Sequence, residues 1–578
     1  MSATYFDADT KVWSGFYSPI VFNPKISLGH AILWTLDKNP HKILQINHET
    51  NIQLTSAFMR RQTIRAAFNL QKLGCEKGDI FGIIAKNSHY VATIVFASLC
   101  IGCPVNTLDP SFTKLELMHM LSITRPKVMF CDASIYDLVQ ECLNDLENDA
   151  KIFTFSGQSG DSIPVEDLFE EVEGEGTFCP VELDGENTIA AIICTSGSTG
   201  LPKGVCLSHA IILHQSVNSF AREDDTLLTF STIYWISGLL LMICSAIKGF
   251  CRIISTERFT PELMLNMIEE HRVTYFMPDE KFANSRNAIF RKFLVGMSAS
   301  HFLVLALKCE QFYRTDLSSI RVIMCGGSKL AINTALEMKK YLKNGSILQV
   351  YGMSEVAGCT SAGTIEKESD TSVGQLVFGT KAKIIDDDGN QLGINEPGEL
   401  CTKTKFKFLG YFNNEEATNS VIDEDGFLRT GDIGYFDDEG NLFLVDRKKD
   451  MMKYCSSQIS PTELEQYLIK SPIIKSVCVV GIPDQEVGDL PAAVIVQNDN
   501  ETPITSDEVE QMITNHFADY KRLRGGVYFV ESLSLTPSGK VLRRCVKEIA
   551  IKLYNEKHET DFLAHSKIEV TCSPFEHV

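Results

Sequence analysis

Short apolar runs separated by helix-like segments recur over the first two-thirds of the chain. Buried strands are predicted at Phe81–Ile84, Val128–Cys131, Ile152–Phe155, Ile189–Cys194, Thr226–Phe230 and Val322–Cys325. The stretch Tyr90–Leu99, which follows the first run, predicts a helix. Because strands that alternate with helical segments form mostly parallel sheets covered by helices, the pattern predicts layered α/β subdomains.

The pattern changes to shorter strands from about Gly398. Pairs of an acidic residue and a glycine, which are typical of hairpin turns, occur at Asp388-Gly389, Asp425-Gly426 and Glu439-Gly440. This part of the chain therefore predicts a β-rich subdomain. By contrast, Ser156–Asn187 is rich in Glu, Asp, Gly and Ser and predicts a solvated, mobile loop.

A charged break at Asp446–Asp450 precedes a new unit. Beyond it, strands are predicted at Met451–Tyr454, Ser476–Gly481, Ala492–Gln497 and Gly526–Val530, and helices at Ser460–Ser471 and Ser506–Phe517. The pattern predicts a large domain over 1–447 and a small α+β domain over 448–578, with a mobile tail after about residue 556. A chain of 578 residues is long enough to require two or more domains.

Composition argues against several classes of protein. Apolar residues make up 44% of the chain, which provides for sizeable cores and argues against general disorder. The formal net charge of −20 argues against general binding to nucleic acid or to anionic membranes. An anionic substrate would therefore need locally concentrated cations.

Cysteine usage and the chain ends predict an intracellular protein. The 18 cysteines are scattered through apolar segments, which is typical of a reducing compartment. The pair Cys100 and Cys103 has apolar neighbours, so we predict buried thiols and not a zinc or redox site. No signal peptide is recognised, and the apolar run Ile236–Ile247 is too short to span a bilayer. The last three residues differ from the Ser-Lys-Leu peroxisomal signal. We expect a protein of the cytoplasm or the peroxisome. No protein partner is evident from the sequence.

The clearest candidate for chemistry is Thr195–Gly204, which contains four hydroxyl residues, three glycines and Lys203. Glycine lets the backbone approach an anion closely, and N–H groups, hydroxyls and a lysine can together hold phosphate. The segment is not a Walker A loop, because Pro202 precedes the lysine and Gly204 follows it. It predicts a nucleotide-phosphate loop of another class, with a surface turn as the alternative.

Three other segments are ambiguous when taken singly. Tyr351–Glu355 offers an aromatic ring that can stack on a nucleobase, and a hydroxyl and a carboxylate that can reach Mg²⁺ and phosphate. The alternative is a structural tyrosine and a surface glutamate. Asp432 can accept hydrogen bonds from ribose or form an Asx turn. Lys540 follows a Pro/Gly turn and can swing into a distant site or remain solvated.

Taken together and in this order, five segments resemble the motifs of the adenylate-forming superfamily: Thr195–Gly204, Tyr351–Glu355, Thr430–Asp432, Asp446–Arg447 and Pro537–Lys540. That superfamily contains acyl-CoA synthetases, coumarate–CoA ligases, beetle luciferases and peptide-synthetase adenylation domains. The chain looks most similar to the insect luciferase-like branch of fatty acyl-CoA ligases, through Ser219–Arg222, Gly488–Ala493 and Lys521–Gly526.

The resemblance implies ATP, Mg²⁺ and coenzyme A as cofactor and co-substrates, and it implies a role for each matching residue. The implied phosphate-binding residues are Thr195, Ser196, Gly197, Ser198, Thr199, Gly200 and Lys203. Those implied around the adenine are Gly326, Gly327, Ser328, Tyr351 and Gly352. Those implied for the reacting phosphate, Mg²⁺ and the ribose are Ser354, Glu355, and Asp432 with Arg447, respectively.

The resemblance also implies a two-step reaction. Lys540 would bridge the attacking carboxylate and the α-phosphate while an acyl-AMP forms. The small domain would then rotate near Lys448-Lys449 and present Lys453 as a thiol such as coenzyme A attacks the acyl carbon.

The chain departs from the family pattern in three places. Ser456 replaces a glycine that usually lies beside the pantetheine arm, and its side chain would narrow that tunnel. Tyr234-Trp235 replaces the luciferase histidine pair, which argues against light emission. We interpret Trp235 and Gly238 as part of the substrate pocket, with Trp235 gating a lipid tunnel. The alternative is that Trp235 simply fills the core. A segment at about 279–296 is additional, and we interpret it as a mobile insertion or a substrate lid.

The favoured function is an ATP-dependent carboxylic acid–CoA ligase that activates a medium- or long-chain fatty acid through an acyl-AMP and then forms the thioester. The alternatives are an aryl-acid ligase, a luciferase-like monooxygenase, and a weakly active paralogue that only adenylates or binds.

Overall fold

A computed structural model describes residues 4–18, 20–195, 202–257, 259–277, 299–327, 330–454, 457–484, 487–498, 503–517, 519–535 and 541–558. The segment interpreted as an insertion, at about 279–296, and the end of the predicted mobile tail lie outside the described residues. Both interpretations stay predictions.

The strands, in chain order, are β1 (Tyr5–Asp7), β2 (Val12–Ser14), β3 (Ile43–Asn47), β4 (Gln53–Thr55), β5 (Phe81–Ile84), β6 (Val105–Leu108), β7 (Val128–Asp132), β8 (Lys151–Phe155), β9 (Ile163–Pro164), β10 (Ile189–Thr195), β11 (Lys203–Ser208), β12 (Thr226–Thr229), β13 (Cys251–Ile254), β14 (Tyr275–Met277), β15 (Val322–Cys325), β16 (Ser346–Met353), β17 (Gly358–Thr364), β18 (Gln375–Leu376), β19 (Lys381–Ile385), β20 (Gly398–Lys403), β21 (Leu428–Phe436), β22 (Leu442–Arg447), β23 (Met452–Tyr454), β24 (Ser457–Ile459), β25 (Ile474–Asp484), β26 (Gly488–Gln497) and β27 (Gly526–Phe529).

The α-helices are Leu28–Lys38, Ser56–Lys72, Val91–Ile101, Lys114–Thr124, Tyr136–Asp145, His209–Val217, Ile236–Lys248, Pro261–Glu270, Ala299–Lys308, Ile332–Lys339, Glu415–Val421, Pro461–Leu468, Ser506–His516 and Arg543–His558. Among the described residues, none of these helices has both the length and the apolar character that crossing a membrane requires.

The chain divides into two compact units. Of the described residues, the first unit contains those as far as Thr430 together with Gly434–Leu444, and the second contains Gly431–Ile433 and those from Val445 onward. The architecture is mixed α/β in a large N-terminal part and a smaller C-terminal part, which confirms the predicted fold class. The proposed boundary between residues 447 and 448 stays a prediction.

Two large sheets of mainly parallel strands form the layered part of the first unit. One has seven strands in the order β11-β10-β6-β5-β7-β8-β9, and only β10 and β11 pair antiparallel. The other has nine strands in the order β18-β17-β16-β15-β14-β12-β13-β3-β4, parallel from β16 to β3. The helix Val91–Ile101 is buried along its whole length, which explains why almost every residue in it is apolar.

The remaining sheets are built largely from hairpins. A six-stranded sheet has the order β1-β2-β19-β20-β21-β22, and Trp13 on β2 is buried against Phe436 with ring centroids 4.6 Å apart. Glycines at the predicted turns, Gly389, Gly426 and Gly440, all have positive φ, which confirms the hairpins.

The sheet of the second unit has five strands, β24-β23-β26-β25 with β27 paired to β26. Its two faces carry separate apolar clusters, one with the helices Pro461–Leu468 and Ser506–His516 and the other with Arg543–His558. This arrangement matches the predicted small α+β unit.

The prediction of a solvated loop over Ser156–Asn187 is wrong in part. Val165, Leu168 and Phe169 form a short 3₁₀ turn whose apolar side chains are buried. The Asn69 side chain, on the helix Ser56–Lys72, donates to the Leu168 carbonyl at 3.0 Å. Three apolar side chains at close spacing therefore anchor the segment, although acidic residues dominate its composition.

The cysteines of the described part are free thiols, and most are buried. Cys100 and Cys103 are both buried, as the sequence predicts. Burial raises the pKa of the Cys194 thiol to about 12, so this group is protonated at neutral pH.

A buried histidine makes the stability of the first unit depend on pH. His209 is buried at the start of the helix His209–Val217, and its Nδ1 accepts a hydrogen bond from the Leu28 backbone N–H at 3.1 Å. Burial lowers the pKa of His209 to about 3. The neutral form is therefore the one that the fold accommodates.

We predict that stability is lost as the pH falls from about 6.5 towards 3. In that window the unfolded chain binds a proton at His209 and the folded chain does not, so the free energy of unfolding falls by up to about 1.4 kcal/mol per pH unit. Thermal unfolding followed between pH 7 and pH 5 tests this, with His209→Asn, which keeps an acceptor but does not titrate, losing less. His41→Asn at an exposed histidine is the control; equal pH dependence in all three proteins would contradict the prediction.

Candidate active site

The predicted phosphate loop connects two antiparallel neighbours in the seven-stranded sheet. Thr195 at the end of β10 pairs with Lys203 at the start of β11, so the chain reverses between them. Residues 196–201, which include Ser196, Gly197, Ser198, Thr199 and Gly200, lie outside the described residues. Their phosphate-binding role stays a prediction.

The base of this loop is held from both sides. Gly204 accepts a backbone hydrogen bond from Phe412 at 2.8 Å, and Cys206 donates one to Gly410 at 2.9 Å, which fixes the segment 410–412 against β11. On the other side, Nε2 of His119, on the helix Lys114–Thr124, lies 3.0 Å from the Pro202 carbonyl. The ends of the loop are therefore fixed by groups distant in sequence.

A second part of the site lies where the parallel strands β15 and β16 end. Gly326 follows β15, and a Cβ there would lie 2.7 Å from Val350 Cγ2 on β16, so close packing favours glycine. Gly327 has a φ of +77°, which other residues rarely adopt. The Gln349 side chain accepts from the Leu330 backbone N–H at 2.9 Å and holds the far end of this turn. Ser328 lies outside the described part of the chain.

The segment Tyr351–Glu355 continues from β16 into a 3₁₀ turn. Gly352 packs so tightly on β17 that a Cβ would collide with the Gly358 carbonyl, and the strand pairing shifts register between Tyr351 and Gly352. Tyr351 and Ser354 remain half-buried, whereas Glu355 is only 8% exposed. The alternative of a surface glutamate is therefore wrong.

Tyr411 links this carboxylate to the phosphate loop. Its hydroxyl donates to Glu355 Oε1 at 2.9 Å, and the Lys203 Nζ lies 5.1 Å from the centroid of its ring. Burial and, to a lesser extent, the Glu355 charge raise the pKa of Tyr411, so the phenol stays protonated and remains a donor. Thr195, Lys203 and Glu355, three of the predicted site residues, are thus brought into one neighbourhood.

Trp235 and Gly238 lie at the start of the helix Ile236–Lys248. The Trp235 ring meets the Tyr234 ring edge-on, with centroids 5.0 Å apart, and packs half-buried against an apolar cluster that includes Cys194. A Cβ on Gly238 would lie 2.1 Å from the Thr232 carbonyl oxygen, so this glycine lets the helix begin close to the preceding segment. The gating role of Trp235 stays a prediction.

Asp432 and Arg447 form an ion pair within the second unit. Arg447 Nε lies 2.6 Å from Asp432 Oδ1, and the carboxylate is 9% exposed whereas the arginine side chain is 53% exposed. Asp432 lies inside β21, and its proposed role towards ribose stays a prediction. The neighbouring Asp446 accepts from the Ser460 hydroxyl at 2.7 Å and from the Thr462 backbone N–H at 2.9 Å, which fixes the start of a helix.

The two lysines predicted to act in turn are only partly described. The backbone of Lys453 lies on β23 and pairs with Gln458 on β24. Lys540 and Ser456 lie outside the described residues, so the roles given to all three residues stay predictions.

Sequence reasoning missed Tyr411, His119 and Gln349. Each acts through contacts to residues distant in the chain, and a lone tyrosine, histidine or glutamine gives no local pattern for such contacts.

Comparisons with known proteins match most of this chain. The family model described as AMP-binding enzyme matches residues 33–412, and that of the AMP-binding enzyme C-terminal domain matches residues 463–540. The chain is 30% identical over 557 residues to probable 4-coumarate–CoA ligase 3 of Dictyostelium discoideum, covering 92% of this chain and 96% of that protein. It is 30% identical over 531 residues to luciferin 4-monooxygenase of Photinus pyralis, covering 89% and 92%.

Solved structures show the same fold. The luciferase-like enzyme from the nonluminescent Zophobas morio mealworm is 27% identical, with a TM-score of 0.67, and the match covers 75% of this chain and 97% of that one. ATP-bound MatB from Rhodopseudomonas palustris is 23% identical, with a TM-score of 0.78 and coverage of 91% and 99%.

The Tyr411–Glu355 contact generates a stability prediction. Tyr411→Phe keeps the ring beside Lys203 but removes the donor to a buried carboxylate, so the free energy of unfolding should fall by about 1–3 kcal/mol. Urea unfolding followed by circular dichroism measures this. The matched control is Tyr17→Phe, because Tyr17 also lies under a lysine, at 5.0 Å, but is 79% exposed. Equal losses in the two variants would contradict the prediction.

Proposed function

This chain belongs to the AMP-binding enzymes, the adenylate-forming superfamily, and from that premise we propose that it is an ATP-dependent carboxylic acid–CoA ligase. The observation that carries the proposal is the grouping of Lys203, Tyr411 and Glu355 at the ends of the phosphate loop and β16. The names of its relatives, which include coumarate–CoA ligases, support the same class of reaction.

The chemistry of the residues fits an attack by one anion on another. A carboxylate and ATP repel each other, so the site must supply positive charge where negative charge develops. In our proposal Lys203 holds the terminal phosphates and Lys540 neutralises the reacting carboxylate and α-phosphate. The protein contributes mainly by positioning the two reactants.

Mg²⁺ is compatible with the donors that are present. It prefers oxygen ligands, and Glu355 offers a buried carboxylate that is oriented by Tyr411. Glu355 is therefore the residue we propose to hold the ion, which when bound neutralises phosphate charge. For the nucleoside, we propose that Tyr351, with Gly326 and Gly327, flanks the adenine and that Asp432 accepts from the ribose hydroxyls, with Arg447 orienting the carboxylate.

The class of acid that is activated is proposed from Trp235 and from the names of the relatives. We propose a medium- or long-chain fatty acid, because Trp235 resembles the residue that gates a lipid tunnel in fatty acyl-CoA synthetases. The second candidate is an aryl acid, supported by the similarity to coumarate–CoA ligases over 92% of this chain. Ser456 motivates a third possibility, an enzyme that adenylates its acid but transfers it to coenzyme A slowly.

A panel of acids separates these proposals. The full-length protein, ATP and Mg²⁺ are incubated with each acid, with and without coenzyme A, while pyrophosphate release and thioester formation are measured. We expect release with saturated fatty acids and a thioester when coenzyme A is present. A preference for cinnamate-type acids would overturn the fatty-acid proposal, acyl-AMP without thioester would overturn the ligase step, and no release with any acid would overturn the enzyme assignment.

Lys540→Ala tests the proposed division of labour between the two half-reactions. We expect adenylation to fall at least about a hundredfold, because the loss of one preorganised charged group at a reacting centre costs this much, while calorimetric ATP binding changes little. A synthetic acyl-AMP bypasses the first step, so thioester formation from it and coenzyme A should be retained. Lys552→Ala, at an exposed lysine of the C-terminal helix, is the control; unchanged adenylation in the Lys540 variant would contradict the assignment.

A further inference from the structure

Two histidines and a glutamate that have no part in the proposed binding of the nucleotide or the acid lie close together. His48 lies in the turn between β3 and β4, while Glu270 ends the helix Pro261–Glu270 and His271 follows it. One potential ligand atom from each residue lies within 4.8 Å of those of the other two. The reaction proposed above uses none of these three side chains.

Two of the three separations are close to those expected around a tetrahedral metal ion. Nδ1 of His48 lies 3.1 Å from Nε2 of His271 and 3.6 Å from Oε2 of Glu270. Zinc bonds of about 2.0–2.1 Å at tetrahedral angles place neighbouring ligand atoms about 3.3 Å apart. An ion can therefore enter between these atoms with small side-chain movements.

The charged residues next to the two histidines in the sequence are engaged elsewhere. Glu49, beside His48, accepts hydrogen bonds from Ser255 and from the Thr256 backbone N–H. Arg272, beside His271, forms an ion pair with Asp316. The acid next to His48 and the base next to His271 are thus both engaged by other partners.

Burial and access are also suitable for a bound ion. The His48 side chain is 16% exposed and Glu270 57% exposed, so the imidazole is held in place while the carboxylate admits an ion from solvent. His271 is partly buried as well, so both imidazole rings are held in place beside the exposed carboxylate.

We propose that His48, Glu270 and His271 form a binding site for Zn²⁺, with water completing the tetrahedron. Imidazole and carboxylate donors together suit this ion. Bound there, it would connect the end of the helix Pro261–Glu270 to the β3–β4 turn. When Zn²⁺ binds, the proton shared between the two facing ring nitrogens leaves that position, and each histidine uses its other nitrogen as the donor.

The competing interpretation is a metal-free contact, in which one imidazole donates to the other and His48 pairs with Glu270 when it is protonated. The two interpretations differ in one respect: only the first requires all three side chains for affinity towards a metal ion.

The test uses the full chain without an affinity tag, stripped of metal by a chelator. Zn²⁺ binding is followed by calorimetry, and Co²⁺ is added separately to read the coordination geometry from its visible spectrum. His48→Gln, His271→Gln and Glu270→Gln are compared with His41→Gln, which changes an exposed histidine outside the cluster. Circular dichroism without metal establishes that each variant is folded.

We expect one Zn²⁺ per chain with an affinity that each cluster variant weakens at least about tenfold, a tetrahedral Co²⁺ spectrum, and no change in His41→Gln. Zn²⁺ should also raise the melting temperature of the wild-type protein more than that of the variants. The proposal is overturned if binding is undetectable, if folded cluster variants bind as tightly as the wild type, or if the Co²⁺ spectrum is octahedral and unaffected by the substitutions. Because none of these readouts involves ATP or an acid, their failure would leave the ligase proposal unaffected.

Discussion

Much of the candidate site depends on one buried carboxylate. A charged group out of water costs several kcal/mol unless hydrogen bonds and nearby charge compensate it. For Glu355 the compensation includes the Tyr411 hydroxyl, and the Tyr411 ring also lies beside Lys203. Tyr411 itself is held because its segment pairs with β11. The need to compensate the buried Glu355 charge thus connects the end of β16, the base of the phosphate loop and a segment between β20 and β21.

The topology of the sheets makes this connection possible. In parallel strands all carboxyl ends point the same way, so the turns after β15 and β16 open at one edge. After the phosphate loop, the chain continues as β11, which pairs antiparallel with β10. Val205 on β11 also pairs with Tyr411. Glycine at Gly326 and Gly352 lets these backbones approach more closely than any side chain would allow. The site is therefore assembled from strand ends, where the backbone is fixed by neighbouring strands.

The sequence predicted what local pattern controls. Phe81–Ile84 and Val322–Cys325 are strands with the predicted ends, because a short apolar run between polar residues suits a strand buried on both faces. Strands β25 and β26 extend beyond their predicted ends, since pairing with each other carries them past the apolar run. The burial of Glu355 and the anchoring of Val165–Phe169 depend on long-range contacts. Composition predicted exposure for Val165–Phe169 and was wrong for that reason, whereas for Glu355 the sequence left a surface position open as one of two alternatives.

The difference between local patterns and long-range contacts also explains why short motifs identify the family but do not identify the acid substrate. The proposed nucleotide half of the site depends on glycines, backbone direction and a few charged groups, all of which leave short motifs in the sequence. The acid half depends on the volumes of side chains from several elements, and one methylene in such a pocket changes discrimination by only about 1–3 kcal/mol. A relative that is 30% identical can share the first half while differing freely in the second. Trp235 is half-buried against the cluster that contains Cys194, and in our proposal it lines this pocket, where its large ring would change the volume more than a substitution of one methylene would.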